Sequence, residues 1–198
     1  MKKIVLASQS IDRKEIFNHA KLPFEVLVTN VNEKNYKKEL TSPIKLVEQL
    51  ANAKILKAKE ILAQESKDAI IVAADTIVEL DGEIIGKAKN EEDAFKILKK
   101  LAGRAHNLIT GIAVTETYNP KIILAHDSTS VSFLELSDKE IWGYIKTGEW
   151  QGRAGAYSLR ERASLFIESI QGSSSNVIGL PMHKLYKIFR NEFNQFLL

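Results

Sequence analysis

The sequence predicts an α/β fold, a mixed β-sheet flanked by helices, and three observations carry that prediction. Ala69 to Ala74 is a continuous apolar run of strand length. Ser42-Pro43 opens a stretch in which Ile44, Val47, Leu50, Ala51, Lys54, Ala58, Ile61 and Leu62 recur at spacings of three and four, the period of one helix face. Asp81-Gly82 stands between two short β-prone runs, Ile77 to Leu80 and Glu83 to Ile85, as a type I′ hairpin requires. Helical crossovers imply parallel pairs and hairpins imply antiparallel ones, so both in one chain predict a mixed sheet.

Element by element, Ile4 to Ala7 reads as a first buried strand. Its basic start, Met1-Lys2-Lys3, imitates a signal peptide, but the apolar run is too short for one. Ser10 caps a helix from Ile11 to about Ala20, with Asp12 in the first turn where a carboxylate suits the helix dipole. The second helix runs from Pro43 to about Gln64. The apolar strand from Ala69 ends at Asp75-Thr76, before the hairpin. Asn90 caps a helix carrying Ala94, Ile97, Leu98 and Leu101 on one face, and Gly103 stops it. Strands follow around Asn107 to Thr115 and Lys121 to Leu134. Ser137 and Glu140 form a capping box for a helix ending at Gly148. Leu180-Pro181 starts a last amphipathic helix with Leu185, Phe189, Phe193 and Phe196. No Pro- or Gly-rich linker divides the chain, so residues 1–198 are expected to form a single domain.

Composition narrows the chemistry. The chain has 198 residues, and its 28 Lys and Arg against 25 Asp and Glu leave a formal charge of only +3, too little to argue for a nucleic-acid partner. It contains no cysteine, which excludes thiol nucleophiles, zinc ribbons and disulfide frameworks and reads most simply as a cytoplasmic protein. With four histidines and no close histidine pair, any metal is expected to be a hard ion held by carboxylates, phosphates and water. No apolar run is long enough for a transmembrane helix, so no membrane association is expected. Lys34, Lys37 and Lys38 form a basic patch without stacking aromatics, which a solvated surface explains better than nucleic acid.

Four places look chemical, and each has a plain structural reading beside it. The strand-to-helix turn Ser8-Gln9-Ser10-Ile11-Asp12-Arg13 offers hydroxyls, backbone N–H groups and an arginine to a phosphate, or is simply a capped helix start with a solvated arginine. Lys54 lies on the apolar stripe of its helix, either snorkelling to water or pointing into a polar cavity. Asp75, at the end of an apolar strand, either serves chemistry, holding Mg²⁺ or taking a proton from water, or merely starts the turn into the hairpin; Lys87 and Lys89 leave the hairpin at the same end. From Gly148 to Pro181 the chain is rich in small and polar residues, including Gly152 to Tyr157 and Gly172 to Asn176, which suit close approach to a ligand or an ordinary loop. Taken together, Ser8, Arg13, Lys54, Lys87 and Arg153 as donors with Glu33 and Asp75 as carboxylates are the mixture phosphoryl chemistry uses.

These segments, in this order, resemble the Maf family of nucleoside triphosphate pyrophosphatases. LASQSIDR resembles its S-x-S-x-R-R signature, and further matches are VNE ending at Glu33, LANAK ending at Lys54, AADTIVELDGEIIGK from Ala73 to Lys87, LAGRAHNLITGIAV from Leu101, GRAGAYSL from Gly152 and GSSSNVIGLP from Gly172. The resemblance spans essentially the whole chain. It implies an inosine triphosphatase-like fold with a cleft between two lobes. It also implies hydrolysis of a nucleoside triphosphate between its α and β phosphates with Mg²⁺ or Mn²⁺. By position, Asp75 is implied as the residue that activates water, Glu33 and Asp75 as metal ligands, and Ser8, Arg13, Lys54 and Lys87 as the triphosphate clamp. The family often dimerises, and the Phe189, Phe193, Phe196 face is suited either to internal packing or to such a partner. Its name comes from effects on septum formation, so a nucleotide-sensing regulator of cell division with little turnover is the alternative reading.

Three positions bear on base choice. Asp12 replaces the first arginine of the family's pair, and Arg160 stands where members acting on dTTP and UTP have glutamine, whereas Thr76 agrees with that type. Members acting on 7-methyl-GTP carry an aromatic residue, Gln and Glu at these three positions, so this chain matches neither set fully. Asp12 and Arg160 are therefore expected to alter base recognition.

Overall fold

The computed structural model describes residues 2–33, 36 and 42–198. Lys34, Lys37 and Lys38, the basic patch, lie outside the described residues. Strands β1 (Ile4–Leu6), β2 (Glu25–Val26), β3 (Ile70–Leu80), β4 (Glu83–Ile85), β5 (Ala105–Glu116), β6 (Ile123–Phe133) and β7 (Ile167–Gln171) form one sheet of order β2-β1-β3-β5-β6-β7, with β4 paired to β3. Pairing of β1 with β2 and β3 is parallel, and β3 with β4 and β6 with β7 are antiparallel, so the sheet is mixed as predicted. The helices are α1 (Ile11–His19), α2 (Pro43–Gln64), α3 (Glu91–Leu101), α4 (Asp138–Ile145), α5 (Ser174–Ile178) and α6 (Met182–Phe193). Among the described residues no helix is long and apolar enough to cross a membrane.

The start signals hold where local chemistry is strong. Ser10, Ser42 and Asn90 each cap through the side chain, accepting from the N–H of Arg13, Lys45 and Asp93. The capping box of Ser137 and Glu140 is formed in both directions. Asp81 and Gly82 adopt φ of 52° and 82°, the two left-handed positions of a type I′ turn. Three expectations change. β3 does not stop at Asp75: it continues to Leu80, and Asp75 sits within the strand. The fourth helix ends at Ile145, and its exit tightens into bonds from Thr147 N–H to the Tyr144 carbonyl and Gly148 N–H to the Ile145 carbonyl, each 3.0 Å. The last helix ends at Phe193 because Asn194 turns left-handed at φ 50°, which leaves Phe196 off the helical face and 61 % exposed.

Two compact units share these strands. The first comprises Met1–Asp75, Thr110–Asp127 and Gly179–Leu198, the second Thr76–Ile109 and Ser128–Ile178. In the first unit α2 lays Ala51, Ile55, Ala58 and Leu62 on Val5 of β1, Ile71 and Ala73 of β3 and Ala113 of β5. Small residues let the layers close in: a Cβ on Gly111 of β5 would stand 2.4 Å from the Val47 carbonyl carbon and 2.6 Å from the Glu48 nitrogen. The second unit has its own core of larger side chains. Phe133 is packed edge-on against Tyr157 and Phe166 at 4.8 and 5.0 Å, while α3 and α4 meet through the stacked rings of Phe95 and Trp142 at 4.9 Å.

Candidate active site

The site grows from the end of β1. Leu6 and Ala7 are fully buried, which drives the chain into the core and brings Ser8 and the first turn of α1 with it. Ser8 Oγ accepts from the Ser10 N–H at 3.2 Å and from Arg13 Nη1 at 3.3 Å. Both bonds are accepted, so the Ser8 proton can serve an acceptor outside this set. Arg13 is buried and not solvated. Its Nε donates to the Gly179 carbonyl oxygen at 2.7 Å, and its backbone N–H meets the Ser10 cap. Burial pushes the Arg13 guanidinium down from its usual range, and the charges of Asp75, Glu33 and Asp12 oppose that. An arginine stays protonated in such surroundings, so this is a fixed positive charge facing carboxylates.

Lys54 settles the choice between snorkelling and a polar cavity. Its ammonium lies 2.5 Å from Asp75 Oδ1 and 3.0 Å from Glu33 Oε1, and its side chain is only 14 % exposed. The stripe position explains this: Leu50, Ala51, Ile55 and Ala58 around it are buried, so the stem lies along the core and the head meets what β3 presents. Asp75 follows five fully or almost fully buried apolar residues of β3, and its own side chain is 11 % exposed. A carboxylate so placed needs a cation beside it, because an unpaired buried charge is strongly destabilising. Glu33, 34 % exposed, closes the bridge from the solvent side.

Five of the expected residues, Ser8, Arg13, Glu33, Lys54 and Asp75, therefore meet in the first unit, where Asp12 also acts on Arg13. Thr76, Lys87 and Arg160 belong to the second. There Lys87 pairs in an antiparallel bridge with Ala154, and the Gly155 N–H donates to the Gly86 carbonyl at 3.2 Å, so the hairpin exit is fastened to the glycine-rich segment. Gly155 is left-handed at φ 70°, and a Cβ there would come 2.8 Å from Val78 Cγ2. Arg153 hydrogen-bonds the Glu149 carbonyl and lies 3.5 Å from Glu161 Oε1, which gives it local structural work. Residue pattern alone missed one positioning group, the Gly179 carbonyl, a backbone acceptor with no signature of its own. In the second unit Asn176, within the Gly172 to Asn176 run, donates from Nδ2 to the Leu108 carbonyl and Thr129 Oγ1, both at 3.0 Å, which ties that loop to β5 and β6.

The donor set can be tested against a divalent cation. Glu33 and Asp75 bring two carboxylate oxygens to one ammonium, and among the described residues no group of three or more His, Asp or Glu is placed to hold a metal ion. Two carboxylates fit Mg²⁺ or Mn²⁺ that completes its shell with phosphate oxygens and water, the way such ions bind at phosphate-handling sites. They do not make a self-sufficient metal cage.

Fold and site together define an α/β protein with an oxygen-lined, cation-balanced centre at a helix amino terminus. The chain belongs to the Maf family: a family model described as "Maf-like protein" matches residues 3–192. It is 41 % identical over 185 residues to a "dTTP/UTP pyrophosphatase" of Ruminiclostridium cellulolyticum, covering 93 % of each chain. It is 43 % identical over 191 residues to the protein of the same name from Caldanaerobacter subterraneus subsp. tengcongensis, covering 96 % of this chain and 89 % of that one. A solved nucleoside-triphosphatase / dITP/XTP pyrophosphatase of Mycobacterium abscessus is 13 % identical, with a TM-score of 0.37 over 66 % of this chain and 72 % of that one.

Proposed function

We propose that this protein is a nucleoside triphosphate pyrophosphatase, acting on dTTP, UTP or a modified nucleotide through one functional domain formed by residues 1–198. A water oxygen bonds to the α phosphorus, the bond from that phosphorus to the bridging oxygen breaks, and pyrophosphate leaves with the nucleoside monophosphate remaining. Asp75 takes the water's proton, since it is the carboxylate most enclosed by the site. Ser8, the amino terminus of α1 and the fixed charge of Arg13 receive phosphate oxygens, with Lys54 and Lys87 completing the clamp. Glu33 and Asp75 would hold a divalent cation, which would supply neutralisation of phosphate charge. Asp12, Thr76 and Arg160 govern base choice. The cytoplasm, where such triphosphates are available, is where the reaction runs.

The observation that carries this reading is the Lys54 ammonium bridging Asp75 and Glu33 within reach of the buried Arg13 charge. That set neutralises and positions a polyphosphate while keeping one carboxylate next to the reacting centre. The names of relatives near 40 % identity over almost the whole chain support the same substrate class.

Pyrophosphate release from dTTP, UTP, CTP and modified purine triphosphates, with Mg²⁺ or Mn²⁺, is the test. Metal-dependent release by the wild type and a fall of about 10²-fold or more in Asp75→Asn are expected, the scale typical of a lost general base. Retained nucleotide binding with no turnover in the wild type would instead identify a sensor that regulates division.

A further inference from the structure

We propose that Lys54 is an internal counter-cation that holds the divalent metal's seat, so that the metal enters with the triphosphate and not ahead of it. This rests on the pyrophosphatase reading above and adds an order of assembly to it.

The geometry is a competition for two oxygens. Lys54 Nζ sits 2.5 Å from Asp75 Oδ1 and 3.0 Å from Glu33 Oε1, and these are the carboxylates suited to Mg²⁺ or Mn²⁺. An ammonium and a metal ion cannot both occupy the space between them. Charge settles which one wins in the absence of substrate. Arg13 and Lys54 are balanced by Asp75 and Glu33, and the further carboxylate facing Arg13, Asp12, is partly open to water. A divalent ion arriving alone must expel Lys54 and leave its ammonium short of partners in a place that is 14 % exposed, while the set turns positive. A nucleoside triphosphate reverses both penalties. Its phosphates offer Lys54 new acceptors and bring the negative charge that the metal adds against. The four-carbon stem of lysine lets the ammonium swing between carboxylate and phosphate by side-chain rotation, a movement the planar fork of an arginine is poorly suited to make. Lys54 is on this account a positioning residue in the free protein and a phosphate ligand in the loaded one.

The test uses Mn²⁺ alone, without nucleotide, on the full-length protein. Calorimetric titration and melting in EDTA or Mn²⁺ are compared for wild type, Lys54→Met, Lys54→Arg and the double variant Lys54→Met with Glu33→Gln. Wild type and Lys54→Arg are expected to bind Mn²⁺ weakly and to melt alike in both buffers. Lys54→Met should melt lower in EDTA, recover in Mn²⁺ and bind the ion about tenfold more tightly than wild type, within the range usual for coupled sites. The double variant should lose that gain, because only one carboxylate remains. Mn²⁺ affinity in Lys54→Met equal to or below that of the wild type overturns the proposal. If Lys54→Met does not fold in EDTA, refolding in Mn²⁺ supports it and failure in both buffers overturns it. Pyrophosphate release from dTTP by the wild type is measured separately: its absence removes the pyrophosphatase reading, whereas the Mn²⁺ comparison judges Lys54 on its own.

Discussion

Arg13 Nε donates to the carbonyl oxygen of Gly179 at 2.7 Å, joining the first helix to the turn before the last one across 166 positions of sequence. The same guanidinium reaches Ser8 Oγ through Nη1 at 3.3 Å. One buried cation thus ties down two backbone segments at the site and still presents charge to Asp75 and Glu33.

Arg13→Lys should therefore damage both stability and activity, although it keeps the charge. A lysine cannot reproduce two directed bonds from a planar fork, and the Gly179 carbonyl is left without its donor. A loss of about 1.5–3 kcal/mol is expected, the usual worth of a hydrogen bond to a charged group. Urea unfolding followed by circular dichroism checks the first effect, and pyrophosphate release the second.

Gly111→Ala tests the packing that puts α2, and so Lys54, at its height on the sheet. The added methyl would meet the backbone of Val47 and Glu48 at 2.4 to 2.6 Å, and backbone cannot rotate away as a side-chain end can. Overpacking of this kind costs about 1–3 kcal/mol or more. Gly86→Ala, with open space around the same atom, is the control and should unfold at nearly the wild-type urea concentration.

His106 makes stability depend on pH. It is buried, its Nε2 is 3.0 Å from the Tyr157 hydroxyl, and burial pushes its pKa from 6.5 to about 4. The unfolded chain then binds more protons than the folded one between those values, so stability is held above pH 6.5 and lost as pH falls toward 4. At pH 4.5 this amounts to about 2.5 kcal/mol relative to pH 7. The pH 7 to 4.5 difference in unfolding free energy should shrink by roughly that amount in His106→Gln. An unchanged difference would show that His106 does not titrate in this window.

Asp12→Arg restores the arginine pair of the family signature and tests the base-choice assignment. The ratio of kcat/KM for dTTP to that for CTP should change by about tenfold or more, because a carboxylate and a guanidinium present opposite hydrogen-bonding chemistry to a base edge. A dTTP and UTP preference that is the same in both proteins would remove Asp12 from specificity.

Local chemistry was legible wherever a side chain acts on its own neighbours. Ser42-Pro43, Asn90, the Ser137 and Glu140 box and Asp81-Gly82 each set an element boundary through bonds or dihedrals within four residues, and all are found as expected. Short edge elements were not legible. β2 has two residues, both exposed, and pairs with β1 only because the chain returns there, so no periodicity announces it. Phe196 looked like the end of an apolar helix face, and one left-handed residue, Asn194, removed it.

The site divides along the same line. The order of motifs along the chain was enough to point to the family, and a serine-rich helix start, a striped lysine and an aspartate after an apolar run are all local patterns. Tertiary structure decided what those residues do to one another. It buried Arg13 on a carbonyl far away in sequence, placed Asp75 inside a continuous strand, and set Lys54 between Asp75 and Glu33. The physical reason is that a buried charge takes its role from the partner that offsets its desolvation, and here that partner comes from another element of the fold.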